Sequence, residues 1–183
     1  GLGILRARNK TEESQAFASL PPQLRAHARL PDLLLLTKAN AQATVHRPAN
    51  LDYVGVRRFD SDGQVIGEHR FLGLYGSRAY NRLPQEIPVL RRKIAHVTER
   101  ADLEPDSHSA KALAHILESY PRDELFQISE EDLFRISMGI MELAEEPRPR
   151  LFLREDLYGR FIMCLVYAPR ERYDTEVRKR MQD

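Results

Sequence analysis

The chain has 183 residues, 42% of them hydrophobic and 30% charged, and a net charge of +1. So balanced a charge supplies no long-range field for nucleic acid or an anionic membrane, and no apolar run approaches the roughly 20 residues that cross a bilayer. A single cysteine, Cys164, excludes an internal disulfide and gives no sign of an oxidising compartment.

The opening "GLGILRARNK" lacks the apolar centre and cleavage site of a signal peptide. The chain starts without methionine and stops soon after a helix begins, so a piece of a longer protein is expected. "ILRAR" is a possible short strand and "NKTEESQAFAS" a polar loop. Ser19 before Leu20-Pro21-Pro22 suits a helix start, with "PPQLRAHARL" as a short helix ended by Pro31.

"LLLLTK" (33–38) reads as a buried strand, with a helical turn as the alternative. "LDYVGVRRF" (51–59), the turn "DSDG" and "QVIGEHRFLGLY" (64–75) form a β-hairpin. Gly55, Gly67 and Gly73 inside these strands mark either a bulge or a close approach of another element.

From Pro84 the period changes. Ile87, Leu90, Ile94, Val97 and Ala101 recur at helical steps, giving an amphipathic helix over 84–101. A second helix, 108–120, is capped near Asp106 or Ser107 and turns Leu113, Ile116, Leu117 and Tyr120 inward. A third opens at Ser129, with Asp132 in a shortened capping box and a stripe of Leu133, Ile136, Ile140 and Leu143. "EEPRPR" (145–150) breaks it and is the candidate domain boundary. "LFLRED" and "RFIMCLVYAP" then form a second hairpin, whose return strand is almost continuously apolar and reads as central. Asp174 or Thr175 caps a last helix. Strands, helices and strands again define an α+β class.

The chemistry is sparse. No GxGxxG or GxxxxGK[ST] motif is present, and no serine sits in a G-x-S-x-G elbow. "DSDGQ" begins like a calcium loop, but the twelfth position from Asp60 is Phe71, where a bidentate glutamate is needed. No two histidines have the i, i+4 spacing of a helical metal site, and Cys164 reads as a core residue. No metal site is expected.

"TKANAQATVHRP" (37–48) brings Lys38, Asn40, His46 and Arg47 close together in sequence. It is either an anion or carboxylate pocket or the solvated end of a strand. "YGSRAYNRLP" (75–84) is either a recognition loop or a tyrosine packed on the fold beside solvated arginines.

Long stretches, in order, carry a resemblance. These are "LLLLTKANAQATVHRPANLDYVGVRRFD", "GEHRFLGLYGSRAYN", "EIPVLRRKIAHV", "SHSAKALAHILESYPRDELFQIS" and "GRFIMCLVYAPRERYDTEVR". Together they resemble the large bacterial NAD-specific glutamate dehydrogenases, most firmly from Pro21 to Arg178. The resemblance implies a fragment of that family's long N-terminal region, which holds ACT-like domains with helical segments between them. It implies an ACT-like unit over 1–104, a helical motif over 105–147 and the beginning of a further ACT-like unit over 148–183. The parent would oxidise L-glutamate to 2-oxoglutarate and ammonia with NAD. Its catalytic lysines and NAD site belong to a later domain, so no catalytic or cofactor-binding residue carries over.

The reading is therefore a non-catalytic regulatory and assembly fragment, cytoplasmic and in a homo-oligomer. Its partners would be the rest of the parent chain, other subunits and an amino-acid effector, but neither nucleic acid nor membrane. Lys38, Asn40, His46 and Arg47 are the candidate ligand or interface residues. One rival is a stand-alone amino-acid sensor of ACT or PAS type; the other is a self-contained enzyme built on the same basic cluster.

Overall fold

A computed structural model describes residues 30–44, 48–170 and 173–180. The expected first strand and helix, before residue 30, lie outside the described residues, as do His46 and Arg47. The class is α+β, with antiparallel sheets and helices. Two compact units divide between Gly76 and Ser77.

The first unit is an antiparallel meander of β1 (Leu34–Gln42), β2 (Asn50–Phe59) and β3 (Val65–Gly73), in the order β1-β2-β3. The β2–β3 turn forms because Asp60 Oδ1 accepts from the amides of Asp62 (3.0 Å) and Gln64 (2.8 Å). Gly63 takes the left-handed conformation that the turn then needs, φ 76°. Gly55 marks a close approach. A Cβ there would meet Glu68 Oε2 at 2.8 Å, because Glu68 reaches across it to accept from the Tyr53 hydroxyl. Gly67 and Gly73 meet nothing within 4 Å.

The second unit contains α1 (Ser77–Asn81), a 3-10 turn at Pro84–Glu86, α2 (Pro88–Ala101), α3 (His108–Ser119), α4 (Arg122–Gln127) and α5 (Glu130–Glu145). The hairpin β4 (Arg150–Glu155) and β5 (Ile162–Tyr167) follows, and then α6 (Thr175–Arg180). Each long helix starts at a residue that suits a helix start. Pro88 fixes the first turn of α2, Ser107 Oγ accepts from Ala110 N, and Ser129 Oγ accepts from Asp132 N. Asp132 is too short to complete a capping box; its Oδ2 accepts from the Ser129 hydroxyl instead (3.0 Å). The predicted stripes form the core, with Leu90, Ile94, Val97, Leu113, Leu117, Leu133 and Ile136 all buried.

Two expectations differ from the structure. The units do not divide near residue 104, because α2 packs on α3 and α5 and belongs to the second unit. "EEPRPR" ends α5 and lies within that second unit. The hairpin folds back so that Phe152 lies on the buried Gly139 of α5, where a Cβ would stand 2.7 Å from its ring. And β5 is not central: among the described residues it pairs with β4 alone, and its alternate residues, Cys164 among them, are exposed. Continuous apolarity cannot tell a strand covered on both faces from one covered on one.

Gly139 is the docking point for the hairpin. The Phe152 ring sits there edge-on to Tyr167 (centroids 5.9 Å apart), and Arg150 Nη1 donates to Gly139 O at 3.3 Å. Gly139→Ala is expected to destabilise the protein by about 1–3 kcal/mol through overpacking, although alanine gains about 1 kcal/mol of helix preference. Gly67→Ala, which meets nothing, should leave the midpoint nearly unchanged. Urea unfolding checks both.

Candidate functional site

In the first unit, β1 and β2 pair Lys38 directly with Asp52. Asp52 is buried, and its two oxygens are used separately. Oδ1 accepts from Lys38 Nζ at 2.5 Å, and Oδ2 accepts from Tyr75 N at 2.7 Å. The carboxylate therefore ties the chain after β3 to the middle strand, and the half-buried Lys38 neutralises it. Asn40 lies two residues on and is exposed. The described residues thus bring Lys38 onto Asp52 rather than onto Asn40; His46 and Arg47 lie outside them.

"YGSRAYNRLP" is divided between the units. In the second unit its Tyr80 hydroxyl donates to Asp123 Oδ1 at 2.7 Å, and Arg82 O accepts from Arg122 Nη2 at 3.2 Å. These contacts anchor the segment to the start of α4.

The densest polar cluster lies inside the second unit. Glu124 on α4 and Arg154 on β4 are buried and meet as a bidentate pair: Arg154 Nε donates to Oε1, and Nη2 donates to Oε2 at 2.8 Å. Arg154 Nη1 donates to Glu155 O at 3.1 Å. Burial pulls the Arg154 guanidinium down, but Glu124 more than restores it, and the group is held charged. Burial first, and then the facing Glu124, push the Tyr120 phenol far up, so it stays protonated.

Lys93 of α2 completes the cluster. Its Nζ donates to Leu125 O (2.9 Å), Phe126 O (3.3 Å) and Ile128 O (2.6 Å). These are carbonyls at the end of α4 and just beyond it, and a buried helix end needs such donors. Burial lowers the Lys93 ammonium to about 8, against the pull of Glu130 and Glu124. In the sequence this lysine stands in the run "VLRRK" (89–93), beside Arg91 and Arg92. Nothing local marks it, because its partners lie more than thirty residues away.

This cluster fixes geometry. Each cation answers an anion or a set of carbonyls within the unit, and that suits joining a hairpin to helices. Among the described residues, no three histidine, cysteine or acidic side chains gather as a metal site, and no helix is long and apolar enough to cross a membrane.

The comparisons with known proteins distinguish two parts within the second unit. Residues 87–146 match the family model described as glutamate dehydrogenase, helical motif 1. Residues 150–183 match glutamate dehydrogenase, ACT2 domain. The fold and its clusters are thus those of a helical motif joined to an ACT-type domain. The chain is 40% identical over 182 residues to the NAD-specific glutamate dehydrogenase of Halomonas elongata, covering 100% of this chain and 11% of that protein. It is 45% identical over 157 residues to that of Pseudomonas aeruginosa (86% of this chain, 10% of the relative). It is 33% identical over 183 residues to that of Mycobacterium tuberculosis (100% and 10%). The chain thus spans about a tenth of the length of these curated relatives. It belongs, as a segment, to the family of the large NAD-specific glutamate dehydrogenases.

Two outcomes test the cluster. Arg154→Met leaves Glu124 buried without its partner and is expected to cost about 3–5 kcal/mol, much of it recovered in Arg154→Met/Glu124→Leu. Lys93 is lowered in the folded state from 10.5 to about 8. Between those values the unfolded chain binds more protons, so its contribution to stability rises with pH. The advantage of the wild type over Lys93→Met should widen from pH 8 to pH 10.5, as read by urea titrations at each pH.

Proposed function

We propose that this chain is a non-catalytic regulatory and assembly segment of a large NAD-dependent glutamate dehydrogenase. In this reading the complete enzyme oxidises L-glutamate to 2-oxoglutarate and ammonia, NAD is held elsewhere in it, and it works in the cytoplasm as a homo-oligomer. The observation that carries the reading is the tandem match of a helical motif and an ACT2 domain on one compact unit. The buried cluster of Lys93, Glu124 and Arg154 supports it, because it binds those two parts together. The first unit is read as another ACT-like unit ahead of the helical motif.

An amino-acid effector is the regulatory ligand this reading allows, with Lys38, Asn40, His46 and Arg47 as the candidate residues for its carboxylate. The isolated chain should show no NAD-dependent glutamate oxidation under conditions where the complete enzyme turns over. Turnover by the chain alone would overturn the reading. An effector at about 100 times its dissociation constant should stabilise the chain by about 2.7 kcal/mol. In thermal unfolding with a panel of amino acids, a rise given by one of them and lost in Arg47→Ala assigns the regulatory role. No rise with any of them assigns assembly alone.

A further inference from the structure

The β4–β5 hairpin is apolar on both faces, unlike a hairpin lying on a protein surface. Its two arginines that flank Phe152, Arg150 and Arg154, point inward, to Glu142 and Gly139 on α5 and to Glu124 on α4. Phe152, Met163, Leu165 and Tyr167 share that inner face, and a second apolar row points outward. Leu151 (53% exposed) pairs with Val166 (44%), Leu153 (48%) pairs with the exposed Cys164, and Ile162 (62%) lies at the end of the same row. Glu155, paired with Ile162, is the one charge among these register partners. Half-buried antiparallel sheets put charge in water and aliphatics on the core. Here the inner face has consumed the charges, so the outer face is built to be buried as well.

The sequence of α6, "TEVRKR", holds a single aliphatic residue. Among the described residues the sheet also has only two strands, and a two-stranded hairpin is marginal without further strands or a helix on its open face. The ACT2 match begins at the first residue of β4 and covers 34 residues, 150–183, fewer than the ~40 below which a domain rarely holds a core of its own. The matched relatives are about ten times longer than this chain.

We propose that the outer face of β4–β5 is an internal interface of the parent protein, covered by the remainder of the same ACT2 domain. The hairpin is then the middle layer of a sandwich, with the helical motif on its inner face and the rest of the domain on its outer face. Cys164, central on the outer face, is buried in the parent. This rests on the reading above that the chain is a segment of a larger dehydrogenase.

The test is thiol alkylation followed by peptide-level mass spectrometry of Cys164, in this chain and in the full-length parent. Cys164 should label at the rate of a free thiol in this chain and about tenfold or more slowly in the parent, as burial of a thiol dictates. Equal rates overturn the proposal. Protection in this chain alone that grows with protein concentration, with a dimer in sedimentation, assigns the face to a second copy and also overturns it. Val166→Asp gives an independent reading: it should lower the unfolding temperature of the parent while barely moving that of this chain, and an unmoved parent overturns the proposal. Glutamate oxidation is assayed on the same parent sample. Turnover without Cys164 protection defeats this proposal alone, and protection without turnover defeats the functional reading alone.

Discussion

The second unit is organised around a desolvated ion pair. Glu124 and Arg154 come from elements thirty residues apart and meet where neither reaches water. Such a pair adds little net stability over a well-packed apolar equivalent, but it is costly to break. It therefore acts as a constraint on geometry. α4 must present Glu124 at one point and β4 must present Arg154 at the same point. The short α4, lying between Pro121 and Ile128, is in turn held at its far end by three hydrogen bonds from Lys93. One lysine, one glutamate and one arginine thus place α2, α4 and β4 relative to one another, and the apolar stripes fill the space between.

This constraint bears on function because it crosses a family boundary. The helical-motif match ends at residue 146 and the ACT2 match begins at residue 150. The proline-rich link between them looks like a hinge, yet Phe152 on Gly139, Arg150 on Glu142 and Arg154 on Glu124 join the two sides. A displacement of the ACT2 strands must then move α4 and α5 or break a buried charge pair. That stiffness suits the regulatory and assembly role proposed above.

The sequence revealed elements with a strong period or a strong turn. The stripes of α2, α3 and α5 were legible because a helix of twelve to sixteen residues repeats its buried face several times. The first hairpin was legible because Asp60 and Gly63 have a specific turn chemistry. α4 was not, since six residues after a proline are too few for a period to show. The boundary at Gly76 carries no proline or charge signal, whereas "EEPRPR" carries a loud one and falls between the two family matches. Of the candidate site, the Lys38–Asp52 pair was hidden because Asp52 sits on a different strand and becomes its partner only through register. Lys93 was hidden for the same reason at longer range. Pairing across elements is a property of the fold, and a single chain read along its length does not display it.

The central claim is that the hairpin and the helical motif form one cooperative body. Native-state hydrogen exchange on the wild-type chain, followed at increasing urea, tests it most directly. The amides of β4 and β5 should open with the same free energy and urea dependence as those of α4 and α5, merging into one unfolding unit. If the β4 and β5 amides exchange through a separate low-energy opening while those of α4 and α5 keep their full protection, the hairpin is an independent flap and the claim is contradicted.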